Sequence, residues 1–154
     1  MKELQVAEKT GKNRTSTSTQ PKKTKIINPV RSRAPTASAC EIPILRVISR
    51  APDKGVSTKE VLEEVRSAKW FRELNDDDRR ARYPASGKKI VDSVIKFARK
   101  NLVMRGEIYP AGEGMPIGVW RITPRGVDMA AIQEVHWKPR YSTHDAVIIE
   151  EKKK

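Results

Sequence analysis

Residues 84–126, reading PASGKKIVDSVIKFARKNLVMRGEIYPAGEGMPIGVWRITPRG, constrain the fold of this chain more than any other stretch. A helix-period run comes first, from about residue 88 to residue 104. On a helical wheel Ile90, Val91, Val94, Ile95, Phe97, Ala98 and Leu102 fall on one broad side. Lys89, Asp92, Ser93, Lys96, Arg99 and Lys100 fall on the other, with Lys96 near its centre. Two short β-like segments follow, residues 107–110 and 118–122, and alternation places Trp120 and Ile122 on one inward face. Residues 111–116, rich in Gly and Pro, supply the tip of a hairpin. Thr123-Pro124 then has the chemistry of a helix start, Thr as N-cap and Pro at the first helical position. Val127, Ala130 and Ala131 are expected to close the core behind it.

Two helical segments precede this stretch. Ile44, Leu45, Val47 and Ile48 form an apolar stripe, and Ala51-Pro52-Asp53-Lys54-Gly55 ends it. Ser57 and Glu60 have the spacing of a capping box, and Val61, Leu62 and Val65 give the second helix its buried face. Trp70, Phe71 and Leu74 are expected to close this region. The acidic run Asp76-Asp77-Asp78 lacks the alternation and bend glycine of a metal loop, so it reads as a connector or helix start. Three helices, a hairpin and a further helix make a mainly α fold with a small antiparallel β-hairpin. That is the order of a winged helix-turn-helix.

Charge divides the chain. Its formal net charge is +13 over 154 residues, and residues 1–40 carry nine Lys/Arg against two Glu. TSTSTQPKKTK has no apolar period, and such a segment cannot bury enough surface to offset its ordering entropy. The expected organisation is a disordered basic arm over residues 1–40, a folded domain over 41–131 and a tail over 132–154. An excess of this size attracts polyanions. The single cysteine, Cys40, rules out an intramolecular disulfide and reads as a structural residue near a helix start. Apolar runs are no longer than four residues, against the roughly 20 of a membrane helix, and no secretory signal is visible. The expectation is no membrane partner and a cytoplasmic location, nucleoid-associated in a bacterium.

The span from about residue 42 to residue 131 resembles the winged-helix domain at the N-terminus of Mrr-type restriction proteins. Pro84-Ala85-Ser86-Gly87, the pattern from Val94 to Leu102, and Gly118-Val119-Trp120-Arg121-Ile122-Thr123 leading to Gly126 carry the resemblance. It implies DNA binding and, in the family's two-part enzymes, a following nuclease domain that holds Mg²⁺ with an acidic residue and a later Glu-x-Lys. Only 23 residues follow Ala131, too few for such a sheet. Asp145, Glu150 and Lys152 match the spacing, and a chance match is the expectation; His136 and His144 are likewise expected to be incidental.

The reading is therefore a non-enzymatic protein that binds double-stranded DNA without a cofactor or metal, a transcriptional or restriction-linked regulator. Lys89, Asp92, Ser93 and Lys96 are the candidates to approach base edges, and Lys88 is a further DNA-binding candidate. Arg99, Lys100 and Arg121 are the candidates for phosphate. The alternative is a protein-interaction module, with Trp137, Tyr141 and the apolar run 146–149 of the tail forming an added strand or a self-association contact.

Overall fold

A computed structural model describes residues 24–112, 114 and 116–152. Element order is β1 (Thr24–Pro35), α1 (Ala37–Ile48), β2 (Val56–Ser57), α2 (Thr58–Arg66), α3 (Asp76–Arg80), α4 (Ile90–Met104), β3 (Val119–Trp120), α5 (Pro124–Gln133), a 3₁₀ turn (Glu134–His136) and β4 (Tyr141–Lys152). Residues 28–148 form one compact unit. A separate unit takes in the outer ends of β1 and β4, residues 24–27 and 149–152.

The core is built around α1, which packs against α2, α4 and α5. Its Ile44, Leu45, Val47 and Ile48 are buried together with Ile42 and Ala39, so the helix is apolar on nearly every side. Each such Leu or Ile contributes about 1.5–3 kcal/mol on burial. Thr36 caps the helix, its hydroxyl accepting from the Ala39 amide at 3.2 Å. Pro43 lies inside the helix and has no N–H to give to the carbonyl four residues back, that of Ala39. Trp137 supplies the missing donor, its Nε1 lying 2.8 Å from that oxygen.

The expected boundary at residue 41 is too late. In β1, Ser32 and Ala34 point inward and Arg31 and Arg33 outward, and Cys40 is fully buried in α1. Asp78, the third helical residue of α3, holds β1 in place: its carboxylate accepts from Ser32 Oγ at 3.0 Å and from the Arg33 amide at 3.2 Å. The same carboxylate accepts from the Asn75 amide, and Asn75 Oδ1 accepts from Asp78 N, which makes a capping box. Asp76-Asp77-Asp78 is thus a helix start. The part of the expected basic arm before residue 24 lies outside the described residues.

The expected free tail is also part of the fold. β4 pairs with β1. Arg31 meets Asp145 while the Thr36 amide donates to the Arg140 carbonyl, so numbering falls on one strand as it rises on the other: the pair is antiparallel. Ala146 and Ile148 are buried, and Trp137 packs edge-on against Trp70 and Phe71 with ring centroids 5.5 and 6.0 Å apart. Tyr141 makes a similar contact with Phe71. Trp137 and Tyr141 therefore pack against the core, and the tail supplies the added strand β4.

The second small sheet pairs β2 with β3 antiparallel, Val56 opposite Trp120 and Ser57 opposite Val119. On the other side of this segment Ile108 bridges Ile122. Trp120 and Ile122 are buried as expected, and Trp120 Nε1 donates to Thr58 Oγ1 at 2.8 Å. Thr123 caps α5 through the Gly126 amide. The core-facing residues of α5 are Gly126 and Ala130; Val127 and Ala131, expected to help close the core, are exposed. Gly126 is required because a Cβ there would collide with the Glu107 carbonyl oxygen.

Candidate nucleic-acid interface

A tight turn aims the first two lysines. Residues 82–89 double back on themselves: the Tyr83 amide donates to the Lys88 carbonyl and the Gly87 amide to the Tyr83 carbonyl, both at 2.9 Å. Gly87 takes φ of +73°, a conformation that disfavours other residues. Arg82 Nη1 donates to the Gly87 carbonyl at 2.7 Å and locks the turn. The Arg82 backbone exchanges two hydrogen bonds with Val147, which anchors the turn to β4. Lys89 then occupies the N-cap position of α4, without a side-chain capping bond.

Helical spacing does the rest. Lys89, Ser93 and Lys96 recur at intervals of four and three residues, on one face of the chain entering α4. With Arg82, Lys88, Asp92 and Phe97 they line a surface groove of about 640 Å³. The buried face of α4 anchors it through Ile90, Val91, Ile95, Ala98 and Leu102. Five of the eight anticipated residues, Lys88, Lys89, Asp92, Ser93 and Lys96, are thus brought together. Lys100 is exposed one turn beyond Lys96 and lies outside the groove.

Three side chains are committed elsewhere. Asp92 does not pair with the neighbouring lysines; both its oxygens accept from Arg66 Nη1 of α2, at 2.8 and 3.1 Å. Both partners are about three-quarters buried, so the ion pair clasps α2 to α4, and among the described residues lining the groove no other carboxylate faces its four cations. Arg99 lays its guanidinium over the Trp120 ring, 5.2 Å from the centroid, and burial pushes its pKa down. Arg121 is held over Tyr109 at 5.0 Å and donates from Nε to the Pro52 carbonyl at 2.9 Å. It lines a different groove, with Pro52 and Tyr109, and so lies apart from the lysines of α4.

Two groove residues were missed. Arg82 sits at the end of a charged run that reads as connector, and only the turn brings it back beside Lys89. The helical wheel puts Phe97 on the buried side of the helix, but it is 57% exposed. It lies ~120° round the helix from Val91, at the very margin of the apolar face, and a strictly periodic reading would have shown this. Lys96 borders a second groove of about 350 Å³ with Arg99, Ile117 and Trp120, and so stands where the α4 face meets the hairpin.

Among the described residues no group of three or more His, Cys, Asp or Glu side chains is placed to hold a metal ion, and no helix is long and apolar enough to cross a membrane. Asp145, from the superficial nuclease spacing, is exposed and pairs with Arg31 at 2.7 Å. The side chains of Glu150 and Lys152 lie outside the described set.

The profile of the Mrr N-terminal domain matches residues 38–131, from the first turn of α1 to α5, and so takes in the whole turn-and-groove arrangement. No curated protein and no solved structure gives a significant match to the chain.

Proposed function

The chain belongs to the Mrr N-terminal domain family, and on that footing we propose that it is a double-stranded DNA-binding protein with a winged-helix arrangement, a restriction-linked or transcriptional regulator with no catalysis of its own. In this reading α2 and α4 are the helix-turn-helix pair, α4 enters the major groove, and the hairpin of residues 107–122 is the wing. A DNA major groove is about 12 Å wide and admits one helix. Lys88, Lys89 and Lys96 with Arg82 approach the duplex, Ser93 is within reach of base edges, and Lys100 extends the phosphate contacts along the helix.

The observation that carries the reading is the groove itself. Four cations line it, and its one carboxylate is held by a cation from outside. Such a surface concentrates positive potential, which favours a polyanion. The test is electrophoretic mobility shift with duplex DNA, single-stranded DNA and RNA over a range of salt. Duplex is expected to bind best. With roughly 6 phosphates neutralised, the log–log salt slope is about −5. A flat salt response, or no duplex binding at low salt, would sink the reading.

A further inference from the structure

Beside the basic groove lies a second hollow, of about 450 Å³, with different chemistry. Phe97, Val94, Tyr83 and Pro35 give it apolar and aromatic walls, and Ser142 and His144 of β4 give it a polar edge. The Ser142 hydroxyl and His144 Nε2 are 2.8 Å apart, and Tyr83 stands edge-on to the His144 ring at 6.0 Å. Its volume is in the ~300–1,000 Å³ range of small-molecule pockets, and apolar walls with a few convergent polar groups are their usual lining. Ser93 and Phe97 line both cavities, so they form the shared ridge between them. Phe97 is a large aromatic, more than half exposed, at the border between the apolar and cationic faces of α4.

We propose that the two cavities together accept one unpaired nucleotide of a bound DNA, its base in the aromatic hollow and its flanking phosphates on Lys88, Lys89 and Lys96. Charge complementarity selects the occupant. A nucleotide is a planar aromatic group joined at short range to anions, and the trough offers an aromatic hollow joined at short range to cations. Stacking on Phe97 and Tyr83 accepts any base. The hydroxyl–imidazole pair can donate to or accept from a base edge, according to the imidazole tautomer. A base already unpaired avoids the unstacking cost that a paired one must meet, so bulged or mismatched positions are preferred. The inference rests on the DNA-binding reading above and adds what that DNA must contain.

The experiment compares three duplexes of one sequence: fully paired, carrying a single unpaired base, and carrying an abasic residue at that bulge. The base-containing bulge is expected to bind about ten-fold more tightly than the paired duplex, and the abasic bulge to gain little. Phe97→Ala is expected to bring the bulged-to-paired ratio close to one. His144→Ala, which lies only in the hollow, is a second variant that reduces the same ratio. Lys96→Glu should weaken both duplexes and leave the ratio standing. Equal affinity for bulged and paired DNA overturns the inference while the DNA-binding reading survives. An abasic bulge that gains as much as the base overturns it too, because the preference then reflects DNA flexibility. Failure to bind any of the three overturns both and leaves the trough to a protein partner.

Discussion

Trp137 Nε1 donates to the carbonyl oxygen that Pro43 leaves vacant inside α1, so an indole from beyond α5 completes the hydrogen bonding of the central helix. Trp137→Phe keeps most of the ring and removes the donor. It is expected to cost about 1–3 kcal/mol, the penalty for an unsatisfied buried acceptor. In a Pro43→Ala background the residue 43 amide can serve Ala39, so the same change should cost about 1 kcal/mol less. Chemical denaturation of the four proteins in this double-mutant cycle gives the coupling. Strict additivity would show that the indole contributes packing alone.

Lys96→Glu is expected to reduce DNA affinity more than Lys54→Glu, by about 2–4 kcal/mol, at nearly unchanged thermal stability. Both side chains are exposed and both substitutions change net charge equally. Lys96 borders two grooves, whereas Lys54 lies in the turn between α1 and β2. Charges distant from the DNA are screened over about 10 Å at 0.1 M salt. Equal titration curves for the two variants would remove α4 as the reading element.

Asp92→Asn tests whether this carboxylate reads a base or clasps two helices. As a clasp to Arg66, it should lower stability by about 0.5–1.5 kcal/mol, since the pair is partly exposed to solvent. DNA affinity should hold or rise, because a negative charge leaves the groove, and the preferred sequence should not change. A binding-site selection that shifts at a single cytosine would instead mark Asp92 as a base contact.

Cys40 sets an alkaline dependence. Burial first, and the neighbouring Glu41 carboxylate second, push its thiol pKa well above the ordinary value. The unfolded chain releases that proton from about pH 8.5, while the folded chain retains it. The contribution is complete below that pH and is lost as pH rises further, so stability falls on the alkaline side. Cys40→Ala should flatten this limb in denaturation curves between roughly pH 8 and 10. Alkylation of native Cys40 should be slow and should accelerate on unfolding.

What the sequence disclosed was local. Val91, Ile95, Ala98 and Leu102 repeat at intervals of three and four residues, so α4 was legible, as were the Ser57 and Thr123 caps, whose bonds span three residues. β1 was not, because its inward residues Val30, Ser32 and Ala34 are small or polar and give no hydrophobic alternation. Pro43 obscured the start of α1 by sitting seven residues into it. At the site, the lysines were legible from the helical wheel. The partners of Asp92, Arg99 and Arg121 were not, because Arg66, Trp120 and Tyr109 reach them only through tertiary packing.

The pairing of β1 with β4 joins Arg31 to Asp145 across a sequence separation of 114 residues. Loop-closure entropy grows with the logarithm of such a separation, and contacts this distant form slowly. During synthesis β1 emerges early and has no strand partner until β4 follows it out. The helical core can assemble meanwhile, with the inner edge of β1 open to a wrong strand. Closure of this two-stranded sheet is then expected to be the late step of folding. A circular permutant that links residues 148 and 28 directly turns that distant pair into a local hairpin, and the domain should refold faster for it.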